Sequence, residues 1–85
     1  MIWDHKIHYR DGELRVGVAS WDDGSRTERS IKYAYRDKTG KISRGAPELP
    51  FYLLADMLKF AIEQNELDTN TLRDIHKVIT EKLSS

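Results

Sequence analysis

The sequence predicts an α+β fold in which a curved, four-stranded antiparallel sheet precedes a long helix and a second, C-terminal helix. Before Gly45, apolar and polar residues alternate with the period of a strand, and Asp- and Gly-containing turns separate the stretches. The connections suit hairpins and are too short for parallel crossovers. After Pro50, apolar residues recur at helical spacing. With 85 residues, the chain is expected to form a single domain, residues 1–85, with the sheet in 1–47 and the helical part in 48–85.

The first two strands are predicted to form a hairpin. His5 to Arg10 alternates weakly, and Asp11-Gly12 predicts the turn because both residue types tolerate positive φ. The stretch from Gly12 to Trp21 alternates cleanly, so one of its faces is apolar and the other carries Arg15 and Trp21. The residues on the apolar face are Leu14, Val16 and Val18.

The third strand is predicted from Arg26 to Arg36 and the fourth from Lys41 to Arg44. The alternation places Ile31, Tyr33 and Tyr35 on one face of the third strand, with Lys32 and Arg36 on the other. The connection is Asp37-Lys38-Thr39-Gly40, which has Asp and Gly at the positions that a type I turn prefers.

The first helix is predicted from Pro50 to about Glu66. Ten of the twelve residues from Phe51 to Ile62 are apolar or aromatic. A stripe of this width is too broad for a helix with one face on a sheet and the other in water. A second surface must therefore cover the helix.

Two covers are possible. One is the second helix, predicted over Thr71–Leu83, where Thr71 and Asp74 suggest a capping box and four apolar residues have helical spacing: Leu72, Ile75, Ile79 and Leu83. The other cover is a second copy of the chain. We expect a homodimer formed through the Phe51–Ile62 helix, because so small a domain without cross-links often gains burial by association.

Several function classes are disfavoured by the residues present. With no Cys, disulfides, thiolate nucleophiles and thiolate metal sites are excluded. No Gly-rich phosphate loop, GxSxG elbow or HExxH motif occurs, so the sequence predicts no enzyme and no cofactor. His5 and His8 alternate to opposite faces of a strand, which disfavours a metal site. No apolar stretch approaches the roughly 20 residues of a membrane span, and the expected location is the reducing cytoplasm.

Charge is divided unevenly along the chain, although the formal net charge is zero. Residues 1–47 contain 10 Lys and Arg against 7 Asp and Glu, which gives +3, whereas residues 48–85 contain 4 against 7, which gives −3. Cations and aromatic rings on a sheet are typical of surfaces that bind single-stranded nucleic acid. The alternative is an ordinary solvated sheet face on which Lys and Arg prevent edge-to-edge aggregation.

Two stretches resemble the single-stranded-DNA-binding domain of transcriptional positive cofactor four and its small bacterial relatives. The stretch RVGVASW, from Arg15 to Trp21, resembles the R-V-x-V-x-x-aromatic strand of that family. The stretch IKYAYRDKTGK, from Ile31 to Lys41, resembles its I-R-x-x-aromatic strand and D-x-x-G turn, although Lys replaces the family's Arg at position 32. The family's order of elements, four strands and then a dimer-forming helix, is similar to the order predicted here.

The resemblance implies that Trp21 and Tyr35 stack on bases and that Lys32 contacts phosphate. Simple alternation places Lys32 and Tyr35 on opposite faces, so both can reach one strand of nucleic acid only with a bulge or strong twist. The expected function is non-catalytic, sequence-tolerant binding of single-stranded DNA or RNA; the alternative is a protein-interaction or regulatory module. The complete predicted interface is Arg15, Trp21, Lys32, Tyr35, Arg36, Lys38, Lys41 and Arg44.

Overall fold

A computed structural model describes all 85 residues and has four strands followed by two helices. The strands are β1 (Ile2–Tyr9), β2 (Gly12–Val18), β3 (Arg29–Tyr35) and β4 (Leu49–Pro50), and the helices are α1 (Phe51–Glu63) and α2 (Thr69–Leu83). The strands form one antiparallel sheet in the order β1-β2-β3-β4. The α+β fold class and the four-stranded antiparallel sheet are therefore confirmed.

The fourth strand differs from its prediction. Lys41–Arg44 contributes only an isolated bridge between Arg36 and Ile42, and the strand that completes the sheet is β4, where Ser30 pairs with Pro50 and Ile31 with Leu49. Pro50 is tolerated there because β4 is an edge strand, where a missing N–H breaks no interior ladder. The sheet consequently extends beyond residue 47.

The β1–β2 turn also differs in its details. The positive φ belongs to Arg10, at 51°, and Gly12 is already paired with Tyr9 inside the hairpin. Gly12 is required for another reason: a Cβ atom at this position would lie 2.4 Å from the carbonyl oxygen of Ala34 on β3. The Gly therefore permits close approach of neighbouring strands rather than an unusual turn conformation.

Helix α1 is shorter than predicted because its C-terminus is capped by Asn65. This residue adopts φ of 60°, the left-handed conformation that Asn tolerates. The amide of Asn65 donates to the carbonyl of Ile62, and the amide of Glu66 donates to that of Ala61. These two bonds form a Schellman motif, which ends the helix at Glu63 rather than near Glu66.

Helix α2 begins before the predicted capping box. Asp68 is the N-cap, and its side-chain oxygen accepts a 2.7 Å hydrogen bond from the amide of Thr71. The Thr71–Asp74 box is therefore wrong, because Thr71 already lies in the first turn and its amide is the group that is capped.

The chain divides into two compact units, Met1–Leu54 and Ala55–Ser85. In the first, buried side chains lie on and beside β2 and β3 and include Val18, Ala19, Ala34 and Ala46. In the second, α1 and α2 border an apolar groove of about 350 Å³ lined mainly by Leu58, Ile75, Val78 and Ile79. Neither helix has a buried residue. Neither helix has the combination of length and hydropathy needed to cross a bilayer.

Candidate nucleic-acid interface

Three cations form one row across the sheet, perpendicular to the strands. Lys6 on β1 is directly opposite Arg15 on β2, which is directly opposite Lys32 on β3. Since neighbouring strands lie about 4.8 Å apart, the backbones of Lys6 and Lys32 are separated by ~10 Å. Lys6, Arg15 and Lys32 are called the cation row. Sequence reasoning selected Arg15 and Lys32 but missed Lys6, because only the β1–β2 register places it beside them.

One carboxylate, that of Glu13, pairs with two cations of the row, Lys6 and Arg15. Its side chain is buried, and its Oε1 accepts hydrogen bonds from Nε and Nη2 of Arg15 at 2.9 and 2.6 Å. Its Oε2 lies 3.4 Å from Nζ of Lys6. These contacts, the Arg15 hydrogen bond foremost, hold the pKa of Glu13 below its ordinary value of 4.5, although desolvation opposes the shift. Three cations and one carboxylate leave the row with a formal charge of +2.

Lys32 is the member of the row without an ionic partner. The chain has four ion pairs, and none includes Lys32. Its cross-strand neighbour is another cation, Arg15. Like charges directly opposite one another on antiparallel strands are destabilising. An anion bound beside Lys32 would relieve this repulsion.

Trp3 lies on the same face as the cation row, which sequence alternation did not predict. A register shift between Trp3 and His5 leaves Asp4 as an extra residue in β1. Because one inserted residue reverses the alternation, Trp3 lies on the side of Lys6 rather than of Ile7. The indole centroid is 4.6 Å from Nζ of Lys6 and 5.4 Å from the guanidinium carbon of Arg15.

Trp21 lies in the β2–β3 loop, beyond the end of β2, and 46% of it is exposed. The adjacent Asp22 orders this loop: its carboxylate accepts hydrogen bonds from the amides of Gly24, Arg26 and Glu28 at 2.8, 3.1 and 3.2 Å. Desolvation raises the pKa of Asp22, but the amide donors outweigh it and leave the pKa below its ordinary value. Trp21 thus projects from an ordered loop rather than from the strand.

Tyr35 belongs to the face opposite Lys32. Tyr35 pairs with Gly12 on β2, and Tyr33 pairs with Leu14, two residues further along β2. Tyr35 therefore lies on the same face of the sheet as Leu14 and Tyr33. The rings of Tyr33 and Tyr35 lie 6.4 Å apart, and that of Tyr9 lies 6.1 Å from Tyr33. No bulge interrupts the β2–β3 pairing, so Tyr35 does not join the cation row.

The remaining predicted cations lie within the connection from β3 to β4. Asp37 orders its tip, since its Oδ1 accepts from the amides of Thr39 and Lys41 at 2.8 and 3.1 Å. The side chain and amide of Thr39 lower the pKa of Asp37. Arg36 donates a 2.9 Å hydrogen bond to the carbonyl of Gly40. The exposed cations Lys38, Lys41 and Arg44 form no ion pair.

Glu13→Gln is expected to be less stable than the wild type at neutral pH, with the difference shrinking in acid. Folding lowers the pKa of Glu13, so the ionised carboxylate stabilises the folded state at any pH above 4.5, the ordinary pKa of Glu. This stabilisation is lost as the pH falls through the lowered pKa of the folded state. Urea unfolding from neutral pH to about pH 3 measures the effect. Glu63→Gln, at an exposed position without an ion pair, is the control. A pH-independent difference would contradict the role of Glu13.

No group of three or more His, Asp or Glu side chains is gathered in a way that could hold a metal ion.

Comparison of the chain with protein-family models, with curated proteins and with solved structures finds no match.

Proposed function

We propose that this protein binds single-stranded nucleic acid, with DNA as the principal ligand, through the sheet face that carries the cation row, and that it acts non-catalytically as a homodimer. The observation that carries the proposal is the pairing of Arg15 with Lys32, two cations directly opposite one another, of which Lys32 has no carboxylate partner. Because Arg15 is already paired with Glu13, a phosphate oxygen would chiefly compensate the charge of Lys32.

The shape of the site favours an extended polyanion. The cation row crosses three strands, and although Lys6 and Arg15 share the Glu13 carboxylate, Lys32 extends the positive charge along the row. Arg15 and Lys32 are partly buried, and three exposed cations follow β3, at Lys38, Lys41 and Arg44. A row with a formal charge of +2 suits a chain of phosphates, because it can neutralise more than one phosphate.

An aromatic ring on the same face supports a single-stranded ligand over a duplex. Bases of a single strand are free to stack on side-chain rings irrespective of their identity, whereas those of a duplex are stacked on one another. The resemblance to the positive cofactor four family supports the same class of ligand, because its two motifs include Arg15 and Lys32. The roles that it implies for Trp21 and Tyr35 stay predictions.

The helices support a homodimer. With 13 and 15 residues, α1 and α2 are near the length at which an isolated helix is only marginally stable in water. Their apolar side chains are nevertheless exposed, including Phe60 and Val78, each at 65%. Contiguous exposed apolar surface is typical of a protein interface. A second copy, meeting the first through Phe51–Ile62, would bury this surface.

Lys32→Glu is expected to weaken binding of a labelled oligo-dT about tenfold or more, since it replaces a phosphate contact by a repulsion. It is also expected to reduce the slope of log affinity against log salt by about 0.7. Fluorescence anisotropy at low and moderate salt measures both quantities. Because Glu at position 32 would be opposite Arg15, the variant should fold at least as stably as the wild type.

The matched control is Lys77→Glu, which makes the same charge change at an exposed position on α2. Its affinity should stay close to that of the wild type. Equal losses in both variants would indicate a general charge effect and contradict the proposed surface. Absence of wild-type binding at low salt would overturn the function and favour a protein-interaction or regulatory module.

A further inference from the structure

The Trp3 indole is partly exposed at the edge of the sheet, and two cations lie over its ring. It is 42% exposed on β1, which is an edge strand. Lys6 and Arg15 both lie within the distance at which a cation is attracted to an aromatic ring. The ring therefore combines an accessible surface with the positive charges that would accompany a bound phosphate.

Glu13 holds Arg15 against this ring. Two donors of the guanidinium, Nε and Nη2, bind one oxygen of the buried carboxylate, which restricts the rotation of the planar group beside the indole. Arg15 is thus a positioning residue for Trp3, while Lys32 retains an unpaired charge. A ring held in this way loses less conformational entropy when a base stacks on it.

The two aromatic residues that the family resemblance implies are less favourably placed. Trp21 lies in a loop after β2 has ended, and Tyr35 lies on the face away from Lys32. Trp3, in contrast, pairs with Gly17, two residues along β2 from Arg15. Its position beside the cation row results from the extra residue at Asp4.

We infer that Trp3, rather than Trp21 or Tyr35, is the ring on which a base of the single strand stacks while neighbouring phosphates contact the cation row. This inference rests on the proposed function and specifies the same face. It assigns a π-stacking contact, which accepts any base, to a residue at the edge of the sheet. It also assigns Lys6 to the interface, beside the ring.

Single-tryptophan variants test the inference. Trp21→Phe retains Trp3 as its sole tryptophan, and Trp3→Phe retains Trp21. Titration with unlabelled oligo-dT should quench the fluorescence of Trp21→Phe substantially and that of Trp3→Phe little. In anisotropy with labelled oligo-dT, Trp3→Ala should lose about tenfold in affinity or more, and the matched Trp21→Ala variant about threefold or less.

The outcomes separate this inference from the function on which it rests. If wild-type protein fails to bind oligo-dT at low salt, both the function and the inference are overturned. If it binds, but the quenching and the affinity loss follow Trp21, the base-stacking role of Trp3 is overturned and the function stands. If Trp3→Ala does not fold, as judged by circular dichroism, the quenching of Trp21→Phe decides the question by itself.

Discussion

Gly17→Ala is expected to lower the free energy of unfolding by about 2–3 kcal/mol, the upper part of the range for overpacked sites. A Cβ atom at Gly17 would lie 2.3 Å from the carbonyl oxygen of Ile2 and 2.4 Å from Cα of Trp3. Both neighbours are backbone atoms, so no side-chain rotation can relieve the overlap. The β1–β2 pairing beside the extra residue Asp4 must separate, and small domains have little stability to lose.

Gly45→Ala is the matched control. Its Cβ would meet only the Ser43 hydroxyl oxygen, at an ordinary 3.7 Å. Its stability should stay within about 0.5 kcal/mol of that of the wild type. Urea unfolding at one fixed protein concentration, followed by circular dichroism, compares the variants, since association would make stability depend on concentration. Equal midpoints for the two variants would contradict the close approach of β1 at Gly17.

Phe60→Glu is expected to convert a homodimer into a monomer, with a dimer dissociation constant raised by about a hundredfold or more. Phe60 lies within the broad apolar stripe of α1 and is 65% exposed in a single chain. If a second copy covers this stripe, the introduced carboxylate would be removed from water without a partner, which costs several kcal/mol. Sedimentation velocity over a range of protein concentrations measures the change.

The control for this substitution is Asn70→Glu, which adds the same charge at an exposed position in the first turn of α2, outside the Phe51–Ile62 helix. It should leave the dimer intact. If the wild-type protein sediments as a monomer at high micromolar concentration, the homodimer proposal is wrong. The Phe60→Glu monomer should also unfold at lower urea, because association stabilises the folded chain by mass action.

Local pattern was sufficient to predict most of the sheet. The alternation around Leu14 and Tyr33 is strict, and the two residues are directly opposite in the β2–β3 register. The same alternation placed Arg15 and Lys32 on one face. Such predictions succeed because side chains project to opposite faces of a strand with a period of two, which any uninterrupted strand must obey.

The fourth strand and the ends of the helices could not be predicted in this way. Two residues, Leu49 and Pro50, are too few to carry a periodic signal, and they form a strand only because β3 offers an unpaired edge. The end of α1 depends on Asn65 adopting positive φ, a conformation that Asn tolerates but does not require.

The identity of the ring beside the cation row was decided by tertiary pairing. An uninterrupted alternation from His5 backwards would place Trp3 with Ile7, on the apolar face. Pairing with β2 leaves Asp4 as an extra residue and reverses the alternation of side chains between the two faces of β1. Arg29 donates two hydrogen bonds, of 2.9 and 2.8 Å, to the Asp4 carboxylate. Arg29 is 25 residues from Asp4 in the sequence, so this contact cannot be predicted from a local pattern.

The order of the elements, the period of each strand and the breadth of the apolar helix follow from the sequence, because each depends on residues only a few positions apart. Only the register between strands determines that Lys6, Arg15 and Lys32 form a row with the Glu13 carboxylate beside it. The same register determines that Trp3 lies on the face of this row. Register is a property of paired segments distant along the chain, and an inserted residue in one of them changes which side chains meet.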